Sequence, residues 1–94
     1  MDFTNPEQRE FAKALGRAAR EALENPAIAH ATNAVSQSAI TRLFQTEPHE
    51  SKSRDSEYHL VRAIQEVVNQ LKQFVVVGDA LEREDRGDNE EDFN

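Results

Sequence analysis

The chain has 94 residues, of which 31% are charged and 37% hydrophobic, and it contains no cysteine. A chain of this length forms one small domain with a modest core, so association with a partner is an expected source of stability. Without cysteine, disulfides, thiolate metal sites and thiol catalysis are excluded. The amino terminus shows no basic leader, and the longest apolar run, Phe74 to Val77, is too short to span a membrane. These features predict a cytoplasmic protein.

The negative charge is concentrated at one end of the chain. The formal net charge is −7, and residues 79–94 hold eight acids against two bases, Arg83 and Arg86. The preceding part of the chain is therefore close to neutral. A segment this polar does not fold alone, and we predict a disordered acidic tail over 79–94 behind a helical domain over 1–78.

Two Asn-Pro pairs, at 5–6 and 25–26, mark the beginnings of two predicted helices. Asn is a favourable N-cap, and Pro at the first helical position lacks only an N–H that would have no partner there. Because the residue before Pro avoids the α conformation, the first helix should end near Glu24. We therefore predict helices over about 6–24 and 26–45.

Both helices are predicted to be amphipathic. In helix 1 the apolar side holds Phe11, Leu15, Ala18 and Ala22. The opposite side carries the four bases Arg9, Lys13, Arg17 and Arg20. In helix 2 the apolar side is built from Ile28, Ala31, Val35, Ala39 and Leu43. Since these residues are mostly small, a neighbouring helix can approach closely.

The strongest pattern lies in a third helix, predicted over about 55–77 after a polar loop. Its apolar residues alternate steps of three and four, the spacing of a coiled-coil seam, and Leu60, Val67 and Phe74 widen that seam at steps of seven. The apolar face is wider than two short helices can cover. We therefore predict that the exposed part meets a second copy or a larger protein, through Leu60, Val61, Ile64, Val68, Leu71, Phe74, Val75, Val76 and Val77.

Val76 and Val77 are the most informative of these positions, because they leave the helical register and would be exposed on a lone helix. The alternative is a kinked three-helix bundle in which both valines are incidental surface residues. Gly78 then either ends the helix or serves as a small seam residue in a longer one.

No catalytic or cofactor site is predicted. His30, His49 and His59 do not have the spacing of a metal-ligand motif, and the three glycines are too scattered to form a phosphate-binding loop. No nucleophile motif or pair of carboxylates in a pocket is evident. We expect a protein that is not an enzyme and that binds neither a cofactor nor a metal.

Nucleic-acid binding is one alternative function, either as a DNA-binding helix-turn-helix-like regulator or as a small packaging subunit. The basic stripe of helix 1 suits phosphates, although Glu21 and Glu24 can pair with it along the helix. The segment "VSQSAITRLFQ" (35–45) resembles the recognition helix of Cro-type helix-turn-helix repressors. That resemblance implies DNA contacts from Ser36, Gln37 and Ser38. The resemblance fails upstream of this segment. When Ile40 takes the family's core position, Ala34 falls where the family has its turn glycine; when the alignment is shifted to put Asn33 there, Ile40 leaves the core position.

A second alternative function is inhibition by the acidic tail. An anti-defence protein or antitoxin of this kind would occupy a basic groove on its target, with Phe93 as an apolar anchor. The tail is otherwise a solubilising end of the chain.

The segment "SEYHLVRAIQEVVNQLKQFVVVG" (56–78) is similar to the C-terminal part of small helical proteins that tailed bacteriophages encode near their packaging and portal genes. The shared features are Glu57-Tyr58, Leu60, Arg62-Ala63, the seam residues Leu71 and Phe74, and Gly78. The resemblance implies a virion-assembly or packaging accessory that acts as an oligomer or on a larger partner, in the host cytoplasm or the virion. It identifies no functional residue. Together with the helical pattern, it favours an all-α bundle or hairpin of about three helices that functions in protein-protein association.

Overall fold

The computed structural model describes residues 3–87, and that part of the chain contains three α-helices and no strand. Helix α1 spans Pro6–Glu24, α2 spans Pro26–Gln45 and α3 spans Ser51–Arg86. The predicted all-α architecture with a long C-terminal helix is confirmed. Helices α1 and α2 have the bounds expected from the sequence, whereas α3 begins before Asp55 and continues well past Val77.

The first two helices begin at the predicted asparagine caps. The Asn25 side-chain oxygen accepts hydrogen bonds from the backbone N–H groups of Ala27 (2.8 Å) and Ile28 (3.4 Å). The Asn5 oxygen accepts in the same way from the N–H groups of Glu7 (2.9 Å) and Gln8 (3.4 Å). Each cap satisfies donors that the helix itself leaves without a partner.

The end of α3 corrects the sequence prediction. Residues 79–86 were expected in a disordered tail but form the last turns of the helix. Gly87, with φ 75°, ends it, and its N–H donates to the carbonyl of Glu84 (3.0 Å), as in a helix cap that uses the left-handed conformation. Gly78 therefore lies inside the helix as a small seam residue. Residues 88–94, and Phe93 with them, lie outside the described residues.

The helices form two compact units. In unit 1, α1 packs with the second half of α3, from Gln70 onward. In unit 2, α2 packs with the first half of α3, up to Asn69. The buried residues of unit 1 are Ala12, Gly16, Ala19, Gly78 and Leu81, and that of unit 2 is Ala39. No large side chain in the described part of the chain is fully buried.

The face that α1 buries overlaps the predicted one only in part, since Leu15 and Ala22 are half-buried as predicted. Ala12, Gly16 and Ala19 are buried, while Phe11 is 59% exposed and Ala18 is also exposed. The reason is the closeness of the two helices, since a Cβ on Gly16 would lie only 2.8 Å from the carbonyl oxygen of Phe74. Only the smallest side chains fit at this contact, so small residues of α1 lie at the closest approach, and Leu15 lies beside it.

In unit 2 the inner row of α3 follows the predicted seam. Glu57, Val61, Ile64 and Val68 are half-buried at steps of four, three and four. The Arg42 Nε of α2 donates to Glu57 Oε1 at 2.8 Å, which shows that this row faces α2. The facing row of α2 comprises Thr32, Ser36, Ala39 and Leu43. Ile28 and Val35, predicted on the packed face, are instead 42% and 44% exposed.

Candidate functional site

Unit 1 is joined along one side by a series of ion pairs, which we call the ion-pair ladder. Arg9 Nη2 contacts Asp85 Oδ1 at 2.7 Å and Glu84 Oε2 at 3.2 Å, and Lys13 Nζ contacts Asp85 Oδ2 at 2.5 Å. Further along, Arg17 pairs with Glu82 and Arg20 with Asp79. All four bases of the predicted stripe thus meet acids that the sequence placed in the tail.

Asp85 is the central acid of the ladder. Its carboxylate accepts hydrogen bonds from Lys13 and Arg9, which hold its pKa below the ordinary aspartate value. In return, the hydrogen bond to Asp85 raises the pKa of Lys13, whose side chain is only 12% exposed. Each partner therefore favours the charged form of the other. This ladder explains why α3 stays helical through so acidic a segment, because α1 supplies the opposite charge.

The ladder also changes the interpretation of the basic stripe. Arg9, Lys13, Arg17 and Arg20 are the residues proposed from sequence to contact phosphates. A phosphate would have to displace carboxylates already paired with them, and it would find no excess of positive charge along this side of unit 1. The stripe is therefore accounted for by packing within the chain.

The helix-turn-helix interpretation is not supported by the geometry. Helix α2 is continuous over Pro26–Gln45. Within residues 3–87, Gly87 is the only residue with a positive φ. The turn that should separate two short helices near Asn33 and Ala34 is absent. Of the three proposed DNA contacts, Ser36 is half-buried on the side facing α3, while Gln37 and Ser38 are exposed.

Most of the predicted contact surface on α3 is used inside the chain. Val61, Ile64 and Val68 lie on the inner row of unit 2, and Leu71, Phe74 and Val75 are half-buried in unit 1. Two of the nine positions, Leu60 (36%) and Val76 (59%), are exposed. The surplus apolar surface at the nine predicted positions is thus smaller than the sequence predicts.

Val76 and Val77 have different surroundings in unit 1. Val77 lines a shallow cleft of about 160 Å³ together with Phe3, Leu15 and Phe74, with Ala12, Gln70 and Gln73 completing the wall. Val76 borders an open, charged depression with Asp79 and Arg83. Only Val76 is therefore a surface residue, and its neighbours are polar.

Four aliphatic side chains, among them the predicted Leu60, form the main exposed aliphatic surface of unit 2. Ile28, Val35, Leu60 and Val67 are 42%, 44%, 36% and 59% exposed, and all four belong to unit 2. We call these four residues the outer flank. Sequence reasoning assigned Ile28 and Val35 to the core and named Val67 only as a widening of the seam. A signal for this surface was present in the sequence, because Ile28 and Val35 are seven residues apart on α2, and Leu60 and Val67 are seven residues apart on α3.

On α2, the surroundings of the outer flank are almost uncharged. Arg42 is the one residue of α2 among Lys, Arg, Asp and Glu, and it is bonded to Glu57. Phe44 and Tyr58 are also exposed, at 83% and 55%, but each is a single residue without a matching row. The outer flank is consequently the one surface of unit 2 that combines apolar side chains with regular spacing.

No metal-binding cluster of three or more His, Cys, Asp or Glu side chains occurs in the part of the chain that the structure describes. His30, His49 and His59 are all exposed. Within the same residues, no helix is both long enough and apolar enough to cross a membrane.

No protein-family model, curated protein or solved structure matches this chain. The resemblance to phage helical proteins over residues 56–78 therefore stays a prediction from sequence.

Proposed function

We propose that this chain is a non-enzymatic interaction protein that takes part in the assembly of a larger protein complex, and that it docks through the outer flank of unit 2. The observation that supports this proposal is the exposure of Ile28, Val35, Leu60 and Val67 on two neighbouring helices. Monomeric proteins commonly expose single apolar residues, but a regular row on each of two packed helices is typical of an interaction surface.

Burying this surface supplies part of the driving force for association. Fully burying an aliphatic side chain of this size contributes roughly 1.5–3 kcal/mol, and each of the four residues is roughly half exposed. Covering all four therefore offers about 3–5 kcal/mol before the cost of association. Close packing around them adds to this value, because the neighbouring side chains are small.

The biological setting that we propose is phage virion assembly or packaging in the host cytoplasm. It is supported by the likeness of residues 56–78 to helical phage proteins, which includes Leu60 of the outer flank. The two alternative functions receive less support from the described residues, while Phe93 and the acids of residues 88–94 lie outside them. The basic stripe and the acids of residues 79–86 are engaged with each other, which leaves neither one available as a charged docking surface.

Site-specific photo-crosslinking in the cells that make the protein tests this proposal. A benzophenone amino acid replaces Val67 in one variant and Gln65 in a control variant, since Gln65 is exposed on the other side of the same helix. We expect a discrete crosslinked species from position 67 and none from position 65. If illumination yields no adduct at position 67, or the same adducts at both positions, the proposed docking surface is wrong.

A further inference from the structure

Each helix of the unit 2 hairpin carries two rows of residues with coiled-coil spacing. The inner rows pack against each other, as described above. In both helices, a second row is formed by the residues that directly precede the inner ones, about 100° away around the helix. These outer rows alternate steps of three and four, and they comprise Ile28, Ala31, Val35, Ser38 and Arg42 on α2 and Ser56, Leu60, Ala63 and Val67 on α3. Every member is exposed.

The two outer rows lie on the same side of the hairpin. Helices α2 and α3 are joined by the short loop 46–50, and the contact between Arg42 and Glu57 sets them side by side in opposite directions. In an antiparallel pair, rows displaced in the same rotational sense from the contact line end up on one face. Counting from the Arg42–Glu57 contact, Val35 lies level with residue 64, between Leu60 and Val67. The aliphatic side chains of the two helices therefore alternate along this face.

The chemistry of the outer rows restricts what can cover them. Apart from Arg42, which is bonded to Glu57, they contain only aliphatic residues, alanine and serine. Charges in the first half of α3 fall at other positions, such as Arg62 and Glu66. A strongly charged partner would bury its charges against this face without opposite charges to pair with them, and the lost hydration makes that unfavourable. The alanines and serines in turn allow a neighbouring helix to approach closely.

We infer that a second copy of this chain covers the outer rows, so that two unit 2 hairpins form a four-helix bundle around a two-fold axis. This inference rests on the proposed function and names its partner. A second copy supplies two rows with the same spacing of three and four residues and the same alternation of large and small side chains, as helix bundles require.

The net charge of the chain is compatible with this choice. Two copies that each carry a net charge of −7 repel each other at long range, so a surface without unpaired charge is the favourable place for them to meet. The outer rows provide such a surface.

Size-exclusion chromatography with light scattering on the full chain tests the inference, at about 10 and about 500 μM protein. The variants Val35→Glu and Val67→Glu place a charge in each outer row. Gln37→Glu and Gln65→Glu add the same charge at exposed positions of the same helices outside those rows. Circular dichroism at 222 nm reports whether each variant retains its helices, and Ala63→Glu serves as a second probe of the α3 row if Val67→Glu unfolds.

The expected result is a mass of twice 10.7 kDa for the wild type and for the two control variants. The row variants should be helical monomers, with a dimer Kd raised at least about 100-fold, because each would bury an unpaired carboxylate. The dimer should also persist in about 1 M salt, which weakens exposed ion pairs but not apolar contacts.

Three outcomes would overturn the inference: a wild-type monomer at both concentrations, a trimer or larger ring, or a dimer that the row variants leave intact. A wild-type monomer combined with a crosslink to a foreign protein from position 67 would reject the second copy and keep the proposed function. Absence of both a dimer and a crosslink would reject the two together.

Discussion

Replacing Gly16 with alanine tests the closest contact in unit 1. A Cβ at position 16 would lie 2.8 Å from the carbonyl oxygen of Phe74 and 3.0 Å from the Cα of Gly78. Both neighbours are backbone atoms, which no change of side-chain rotamer can move. The two helices would have to separate by several tenths of an ångström to admit the methyl group.

Two opposing effects determine how much Gly16→Ala changes the free energy of unfolding. Alanine is the better helix former, and inside a helix it is worth about 1 kcal/mol relative to glycine. Forcing a methyl group into a packed contact typically costs about 1–3 kcal/mol, and even a small separation weakens the dispersion contacts of the residues around it, such as Ala12 and Ala19. Because both atoms contacted here are backbone, we place this cost in the upper part of that range. Gly16→Ala should therefore destabilise the protein by about 1–2 kcal/mol.

Urea unfolding followed by circular dichroism measures this free energy, and thermal unfolding should show a fall in Tm of roughly 4–16 °C for that loss. Two controls separate the opposing effects. Ala14→Gly, at an exposed position of α1, measures the helix-propensity term alone. Gly78→Ala meets its nearest atoms at 3.0 and 3.3 Å, so its crowding should nearly cancel the propensity gain. An increase in stability for Gly16→Ala would refute the backbone contact.

The remaining predictions concern a cap, an ion pair and the two valines. Asn25→Ala should lower the free energy of unfolding by about 1 kcal/mol, since two N–H groups lose their acceptor; equal urea midpoints would contradict the cap. Asp85→Asn should be less stable than the wild type at neutral pH. Folding lowers the pKa of Asp85 below 3.8, the ordinary pKa of an aspartate. The stability difference should therefore be complete above pH 3.8 and be lost as the pH falls further. A difference that persists at about pH 2 would mean that charge pairing is not its cause. Val77→Asp should cost about 1–3 kcal/mol because it puts a charge into the cleft of unit 1. Val76→Asp, on the exposed side, should change stability by less than about 0.5 kcal/mol, and equal thermal shifts for both valines would contradict their placement.

The helices of this fold are largely predictable from local signals. Asn5 and Asn25 followed by proline fix where α1 and α2 begin, because capping depends only on residues next to each other in the chain. The inner row of α3 is predictable for a similar reason, since its three-and-four spacing recurs over many turns. Both signals lie within a single helix.

The faces of α1 and α2 were not predictable in the same way. Apolar periodicity favours Phe11 over Gly16 as a core residue of α1. The contact between α1 and α3 instead requires small residues, because the two helices approach closely at Gly16 and Gly78. Composition likewise describes residues 79–86 as an acidic tail. Their helical structure depends on pairing with bases about sixty to seventy-five positions earlier, which composition does not reveal. The spacing of Asp79, Glu82 and Asp85 by threes was the local hint.

The outer flank shows how the two kinds of information combine. Ile28 and Val35 have the spacing of a packed row, and the sequence alone assigns that row to the core. In the structure the adjacent row, which holds Ala39 and Leu43, packs inward instead. Ile28 and Val35 are thereby left on the outside next to Leu60 and Val67, which makes an internal row into a candidate interface.

The ion-pair ladder has a consequence for the order in which the chain folds. Its pairs join residues 59 to 76 positions apart, so unit 1 can form only after a long loop has closed. Unit 2 closes over the short loop 46–50, and Arg42 meets Glu57 only 15 positions later. Since closing a short loop costs less entropy and occurs sooner, the α2–α3 hairpin should be the nucleus of folding. Helix α1 would then dock last, which means that the surface proposed for association exists before the rest of the protein is complete.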